Sequence, residues 1–162
     1  PVSQSPDLES IVLSEEPVLL AIQKDHVLLK KVVKGHLPAI SLKDLRKEQF
    51  ILVRKPGSPG MYENLLNDCR SSGFEPLVVA EVDNMLTNIN LVAAGVGVSV
   101  VPASMSCFHQ HAVVYCSIKG VRTVKAPITM IKRFDEQSLI IDNFSNVATE
   151  QAQVLKDQLI SH

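Results

Sequence analysis

Short apolar runs alternate with helical patterns along most of the chain. Strands are predicted at Val18–Gln23, Gln49–Val53, Leu77–Val82 and residues 98–101, and further strands at residues 11–13, 113–117 and 126–131. Apolar stripes at helical spacing lie between them, such as Met61, Leu65 and Cys69. Strands that alternate with helices predict an α/β fold with a mostly parallel sheet and right-handed crossover helices.

The ends of two helices are marked by residues that favour helix termini. Ser58 can accept backbone N–H bonds as an N-cap, and Pro59 follows at the first helical position, where its missing N–H costs nothing. Gly73 can adopt the left-handed conformation that ends this helix. The second helix is predicted to begin after Asp83 or Asn84, since either side chain can cap it.

Two short turns and one long helix complete the predicted elements. Ser41 is expected to cap a helical turn that runs to Leu45, and a second turn is expected at residues 103–108. From Ser138 onward the pattern predicts an amphipathic helix whose apolar side is formed by Ile140, Phe144, Val147, Ala148 and Leu155.

Two loops of the predicted sheet have the chemistry of an anion site. Ligands of open α/β sheets bind beyond the carboxyl ends of the strands, close to helix N-termini with free N–H groups. Residues 54–58 and 82–87 occupy such positions, and the first loop adds positive charge. The candidate contacts are Arg54, Lys55, Gly57 and Ser58 in the first loop, with Asn84, Thr87 and Asn88 in the second. The simpler interpretation, that Ser58 and Asn84 only cap their helices, stays open.

The composition fits a folded protein without a strongly basic surface. The 162 residues allow one domain, or one domain with part of a second, and 46% are hydrophobic against 20% charged. The net charge of −1 gives no indication of a nucleic-acid-binding domain. One stretch is rich in lysine. We favour its interpretation as a solvated connector over that as a phosphate-binding patch. Its cations are Lys24, Lys30, Lys31, Lys34, Lys43, Arg46 and Lys47.

The cysteine count and the hydropathy favour a cytoplasmic protein. There are three cysteines, an odd number, and no secretory sequence precedes them, so a disulfide framework is not expected. No apolar run approaches the length that spans a bilayer. The sequence begins at Pro1 without Met, which indicates processing or excision from a longer protein.

A zinc or cysteine-dependent catalytic site is a weaker interpretation. Cys107, His109, His111 and Cys116 could supply ligands, but they straddle a helix end and a strand, whereas structural zinc uses paired short spacings. Catalysis by Cys107 with His109 lacks a third orienting group, and there is no nucleophile elbow. We predict neither a metal nor a cofactor.

The glycine motifs do not indicate a nucleotide site. Gly95 and Gly97 follow a helix rather than a strand and lack the third glycine of a dinucleotide fingerprint. They are predicted to end the helix and to turn the chain tightly into Val98. The RKPGSPG segment lacks the Gly-Lys-Ser/Thr ending of a phosphate loop.

Three segments, in this order, resemble the effector-binding domain of LysR-type transcriptional regulators. They are ISLKDLRKEQFILV at residues 40–53, the strand and helix at residues 75–90 where Glu81 ends the strand, and LVAAGVGVSVVP at residues 91–102. The likeness covers nearly the whole chain. It implies a fold similar to type 2 periplasmic binding proteins, with two subdomains and a small organic effector in the cleft between them.

The resemblance also implies a division of the chain. The winged helix-turn-helix and most of the first subdomain are not among these residues, so residues 1–25 would be a remnant of subdomain I with a crossing strand. Residues 26–125 would form subdomain II, complete in this chain, and residues 126–162 the return strand and terminal helix of subdomain I. By this analogy the apolar side of the last helix is covered by another copy of the chain or is poorly ordered, unless it packs on its own sheet.

The predicted function is effector sensing by a regulator, not catalysis. The resemblance implies a dimer or tetramer that contacts DNA only through the N-terminal domain, and no membrane contact. Arg54 and Lys55 favour an anionic effector such as a carboxylate. A solute-binding protein of the same fold class is the alternative, and the residues upstream would distinguish the two. A cysteine-dependent enzyme is the third possibility.

Overall fold

A computed structural model describes residues 7–31, 38–53, 60–122, 124–134 and 138–160. The chain divides into two compact units, residues 17–126 and residues 1–16 with 127–162. The strands are β1 (Leu8–Glu16), β2 (Val18–Gln23), β3 (Ala39–Ser41), β4 (Gln49–Val53), β5 (Leu77–Val82), β6 (Ser99–Pro102), β7 (Val113–Lys119) and β8 (Ala126–Arg133). The α-helices are α1 (Gly60–Ser71), α2 (Met85–Ala93) and α3 (Leu139–Ile160), with 3-10 helices at Val27–Lys31, Leu42–Lys47 and Ala103–Cys107.

The larger unit is built on a mixed sheet with the order β3-β7-β2-β6-β4-β5. A parallel bridge between Phe50 and Val98 joins β4 to β6, where Ile51 N donates to Val98 O at 2.9 Å and Val98 N to Gln49 O at 2.8 Å. β2 runs antiparallel to both of its neighbours, and the β3–β7 and β4–β5 pairs are parallel. The predicted α/β fold with a mostly parallel sheet is therefore confirmed, with β2 as the reversed strand.

Alternate side chains of each strand divide the core into two clusters, one on each face of the sheet. α1 packs on one face through Leu65 and Cys69, and α2 packs on the other through Ile89 and Val92. Burial of each large aliphatic side chain contributes roughly 1.5–3 kcal/mol, so these stripes hold the helices to the sheet. The first face includes Leu20, Ile22, Phe50, Leu52, Val98, Val100 and Cys116, and the second includes Leu19, Ala21, Ile51, Val101, Val113 and Tyr115.

Glycines end α1 and α2, as the sequence predicts. Gly73 has φ +87° after α1, and Gly95 has φ +78° after α2. Gly97 serves a different purpose, because a Cβ at this position would lie 2.5 Å from the carbonyl oxygen of Gln49. The absence of a side chain at Gly97 therefore permits the close approach of β6 to β4.

Several predicted boundaries change in the structure. β2, β4 and β5 have the predicted limits, whereas the strand predicted at residues 11–13 extends over Leu8–Glu16. The turn after Ser41 is a 3-10 helix, and the Ser41 side chain makes no capping hydrogen bond, so that predicted cap is wrong. The turn at residues 103–108 is also 3-10 and ends at Cys107.

A β-bulge modifies the outer strand β5. Phe50 pairs with Val78 but Ile51 pairs with Ala80, so Val79 is an extra residue on β5. The insertion directs Val78 toward the α1 face and Ala80 toward the α2 face. A bulge on an outer strand twists its edge and hinders pairing with further strands.

The smaller unit pairs β1 with β8 and packs α3 against β1. Lys132 Nζ lies 3.3 Å from Glu9 Oε2 across the two strands. The predicted apolar side of α3 is not covered by this sheet, since Ile140, Phe144 and Val147 are 79%, 63% and 56% exposed. The alternative that this stripe packs on the chain's own sheet is therefore wrong for these three residues.

None of the helices in the described part of the chain combines the length and the apolar character of a membrane span.

Candidate functional site

The two strands that lead to the candidate loops end side by side. Val53 and Val82, the last residues of β4 and β5, are partners in the parallel register. β4 and β5, the strand that leads to α2, therefore end at the same edge of the sheet. This is the edge at which open α/β sheets bind ligands.

The first candidate loop lies outside the described residues. Arg54, Lys55, Gly57 and Ser58 belong to residues 54–59, and the described chain resumes at Gly60, the first residue of α1. The predicted Ser58 cap and the positive charge of this loop therefore stay predictions.

Asn84 begins α2 and acts as its N-cap. Its backbone is extended, and its Oδ1 accepts a hydrogen bond from Thr87 N at 2.8 Å. Asn84 Nδ2 in turn donates to Asp83 Oδ1 at 3.1 Å. Of the two residues predicted as possible caps, Asn84 is the one that caps. Such caps stabilise a helix by about 0.5–2 kcal/mol, so Asn84 has a structural role at this position.

The three candidates on α2 separate into two environments. Asn84 and Thr87 are exposed at the start of the helix, where the backbone N–H groups and the helix dipole favour an anion. Asn88 is fully buried, and its Nδ2 donates to Ser99 Oγ on β6 at 2.7 Å. The exposed Asp83 carboxylate, which accepts from Asn84 at the same helix end, carries a negative charge that opposes the binding of an anion there.

Two contacts at α1 were not predicted from the sequence. Tyr62 Oη donates to Glu81 Oε1 at 3.0 Å, which ties the start of α1 to the end of β5. On the next turns of α1, the buried Asp68 accepts hydrogen bonds at Oδ2 from Arg122 N at 2.9 Å and Val124 N at 3.4 Å. The sequence offered one indication of the first contact, since Glu81 is a charged residue next to the end of its strand.

Cys107, His109, His111 and Cys116 do not assemble a metal site. No group of three or more His, Cys, Asp or Glu side chains with metal-binding geometry occurs among the described residues. The His109 and His111 rings lie 5.6 Å apart, and the exposed Cys107 Sγ donates to Ser104 O at 3.4 Å. Cys116 is buried within β7, and burial raises the pKa of its thiol to about 11, which keeps it protonated and unreactive.

Comparison with known proteins gives a consistent result over nearly the whole chain. The family model described as "LysR substrate binding domain" matches residues 1–153. The transcriptional regulator AlsR of Bacillus subtilis is 30% identical over 135 residues, which are 83% of this chain and 42% of AlsR. The chain therefore spans less than half the length of this relative.

Solved structures show the same similarity. The LysR-family transcriptional regulator CbnR superposes with a TM-score of 0.75 at 25% identity, covering 92% of this chain and 49% of CbnR. The effector-binding domain of BenM with its effector benzoate gives a TM-score of 0.73 at 24% identity, covering 95% of this chain and 67% of that domain. The second likeness supports the fold alone.

Proposed function

Since the chain belongs to the LysR substrate-binding-domain family, we propose that it is the effector-sensing part of a bacterial LysR-type transcriptional regulator. The family match over residues 1–153 is the observation that carries this proposal. Effector binding would change the regulator's affinity for DNA, because a ligand shifts an equilibrium between two arrangements when it binds them with different affinity. DNA contact would be made by a separate winged helix-turn-helix domain.

We place the effector at the carboxyl-terminal edge formed by β4 and β5. The adjacent ends of these strands at Val53 and Val82 support this placement. Arg54, Lys55, Gly57 and Ser58 would contact the effector from one side, and Asn84 and Thr87 from the start of α2. Asn88 would act from within the core, by holding α2 on β6 through its bond to Ser99.

The effector is proposed to be a small organic anion, with a carboxylate as the expected group. A helix N-terminus with an adjacent Arg54 and Lys55 can bind a carboxylate through N–H groups and charge. The benzoate named for the BenM effector domain is a molecule of this class.

The two compact units suggest how the chain corresponds to the regulator's subdomains. We assign the larger unit to subdomain II, predicted at residues 26–125, and the smaller unit to the part of subdomain I that this chain contains. The regulator is proposed to be a cytoplasmic homo-oligomer without enzymatic activity. The exposed apolar residues of α3 are compatible with contact to a second copy.

The test is a melting-temperature screen with a panel of organic acids, beginning with benzoate, on this chain and on the full-length regulator. A binding acid is expected to raise the melting temperature, and Ser58→Ala and Thr87→Ala should reduce that rise. Thr149→Ala, an exposed threonine of α3, serves as the control. Equal rises in the wild type and in both site variants would show that the site is placed wrongly.

A further inference from the structure

A polar pair is buried between α2 and β6. Asn88 is 0% exposed and Ser99 is 1% exposed, and Asn88 Nδ2 donates to Ser99 Oγ at 2.7 Å. The same nitrogen approaches Met85 Sδ at 3.7 Å. Ile89 and Val92, which follow on α2, are fully buried apolar residues of this face. The pair therefore lies within an apolar contact between helix and sheet.

One atom of the Asn88 carboxamide has no hydrogen-bond partner among the described residues. Its Oδ1 is buried and accepts from no donor there. Rotation of the amide by 180° does not resolve this, because it places the NH₂ group where the oxygen was. Buried polar atoms in native proteins almost always have a partner, from the protein or from ordered water. The Asn88 side chain therefore requires a further hydrogen-bonding group in either orientation.

We propose that Asn88 and Ser99 bind one internal water molecule between α2 and β6. The water would donate to Asn88 Oδ1 and accept the hydroxyl proton of Ser99, whose Oγ already accepts from Asn88. Water both donates and accepts, so it suits either orientation of the amide, whereas an ion of one sign suits only one. Buried waters typically have two to four polar partners, and this pair supplies two.

The water site gives Asn88 a role distinct from direct contact with an effector. It bridges the first half of α2 to β6, four residues beyond the Asn84 cap, and so positions the start of that helix. The site depends only on contacts within the larger unit. The water-site proposal can therefore be tested independently of the proposed effector function.

Solution NMR of the labelled chain tests the water directly. Cross-relaxation between the Asn88 side-chain amide protons and water is expected to have the sign of a long-lived bound molecule. Asn90 is an exposed asparagine on the same helix and serves as the matched control, with only short-lived hydration. Ser99→Ala should weaken the cross-peak between water and the Asn88 side-chain amide and leave that of Asn90 unchanged. An Asn88 signal that equals that of Asn90 in the wild type would refute the site.

A crystal structure that orders internal waters provides the second measurement. A solvent peak is expected roughly 2.7–3.2 Å from the carboxamide atom that has no protein partner. Asn88→Leu should lack this peak, and if that variant fails to fold, the wild-type map decides alone. A dry site in the wild type, or a protein donor at Asn88 Oδ1, would overturn the proposal.

Discussion

The carboxylate of Asp68 on α1 accepts a hydrogen bond from the backbone nitrogen of Arg122, 54 residues away, at 2.9 Å. The same oxygen accepts from Val124 N at 3.4 Å. α1 thus holds the segment that connects β7 to β8, where the chain passes from the larger unit to the smaller one.

Asp68→Ala is expected to destabilise the larger unit by about 1–3 kcal/mol, because it leaves backbone donors without their acceptor. Asp68→Asn keeps an acceptor oxygen and should cost less. Urea unfolding of the variants measures both effects. Asn67→Ala, an exposed change on the same helix, should remain close to the wild type. If the urea midpoint of Asp68→Ala equals that of Asn67→Ala, the Asp68 carboxylate does not anchor the segment between β7 and β8.

Gly97→Ala is expected to separate β6 from β4. The added Cβ would lie 2.5 Å from Gln49 O, beside the hydrogen bonds that join Val98 to β4. Overpacking of this kind typically costs about 1–3 kcal/mol. Hydrogen exchange should therefore accelerate at the amides of Ile51 and Val98, together with a lower melting temperature.

Ala94→Ser is the control for this substitution, because Ala94 is an exposed residue of the same turn. Its exchange rates at Ile51 and Val98 should match those of the wild type. Unchanged protection of these two amides in Gly97→Ala would show that β6 accommodates a side chain here.

Native-state alkylation should distinguish Cys107 from the other two cysteines. Cys107 is exposed, whereas Cys69 and Cys116 are both 0% exposed. Burial, with the Asp68 and Glu75 carboxylates nearby, raises the pKa of the Cys69 thiol to about 12, so its thiolate is scarce at neutral pH. Mass spectrometry after brief iodoacetamide treatment should find one modified site in the folded chain and three in urea. Rapid labelling of Cys69 in the folded chain would show that α1 opens readily.

The two buried thiols should also make the fold less stable at alkaline pH. Their pKa values rise from 9.0 to about 12 for Cys69 and about 11 for Cys116. The unfolded chain loses these protons first, so above pH 9 the native state binds more protons and stability falls as the pH rises. This contribution is fully present below pH 9 and is lost progressively toward pH 11 for Cys116 and toward pH 12 for Cys69.

Unfolding midpoints measured from pH 8 to pH 10.5 test this loss of stability at alkaline pH. Cys116→Ala should flatten the dependence, whatever its effect on absolute stability, and Cys107→Ala should leave the slope unchanged. If the unfolding midpoint depends on pH equally in Cys116→Ala and in the wild type, the Cys116 thiol is excluded as a source of that dependence.

The sequence predicted the elements better than it predicted the orientation of single polar residues. Aliphatic runs defined β2 and β4, because a buried strand has few other compositions, and a run of the same kind defined the half-exposed outer strand β5. Asn88 was grouped with the exposed cap residues, although it follows Met85 by three positions and precedes Val92 by four, which places it on the buried stripe of α2. Helical periodicity could have corrected that grouping. Its partner Ser99 could not be predicted, since the contact depends on the packing of α2 over β6.

The local sequence pattern could not predict the bulge in β5 or the missing side-chain cap at Ser41, for a related reason. An alternating strand gives no indication of which residue is extra, because the register is set by pairing with β4. Ser41 has the residue type of a cap, but the 3-10 turn that follows does not bring a backbone N–H to its side chain. Candidate residues 54–58 remain predictions, as they lie outside the described chain.

The exposed apolar side of α3 should make this chain associate with itself. Ile140, Phe144 and Val147 are all more than half exposed on one helix, and a contiguous apolar surface of this kind is typical of an interaction site. Sedimentation velocity across a concentration series should show association in the wild type. Phe144→Glu should reduce it without lowering the melting temperature, because the side chain it replaces is 63% exposed. Asn143→Glu adds the same charge at an exposed polar position and should leave association intact. A wild-type chain that stays monomeric at every concentration would show that this surface does not bind a second copy.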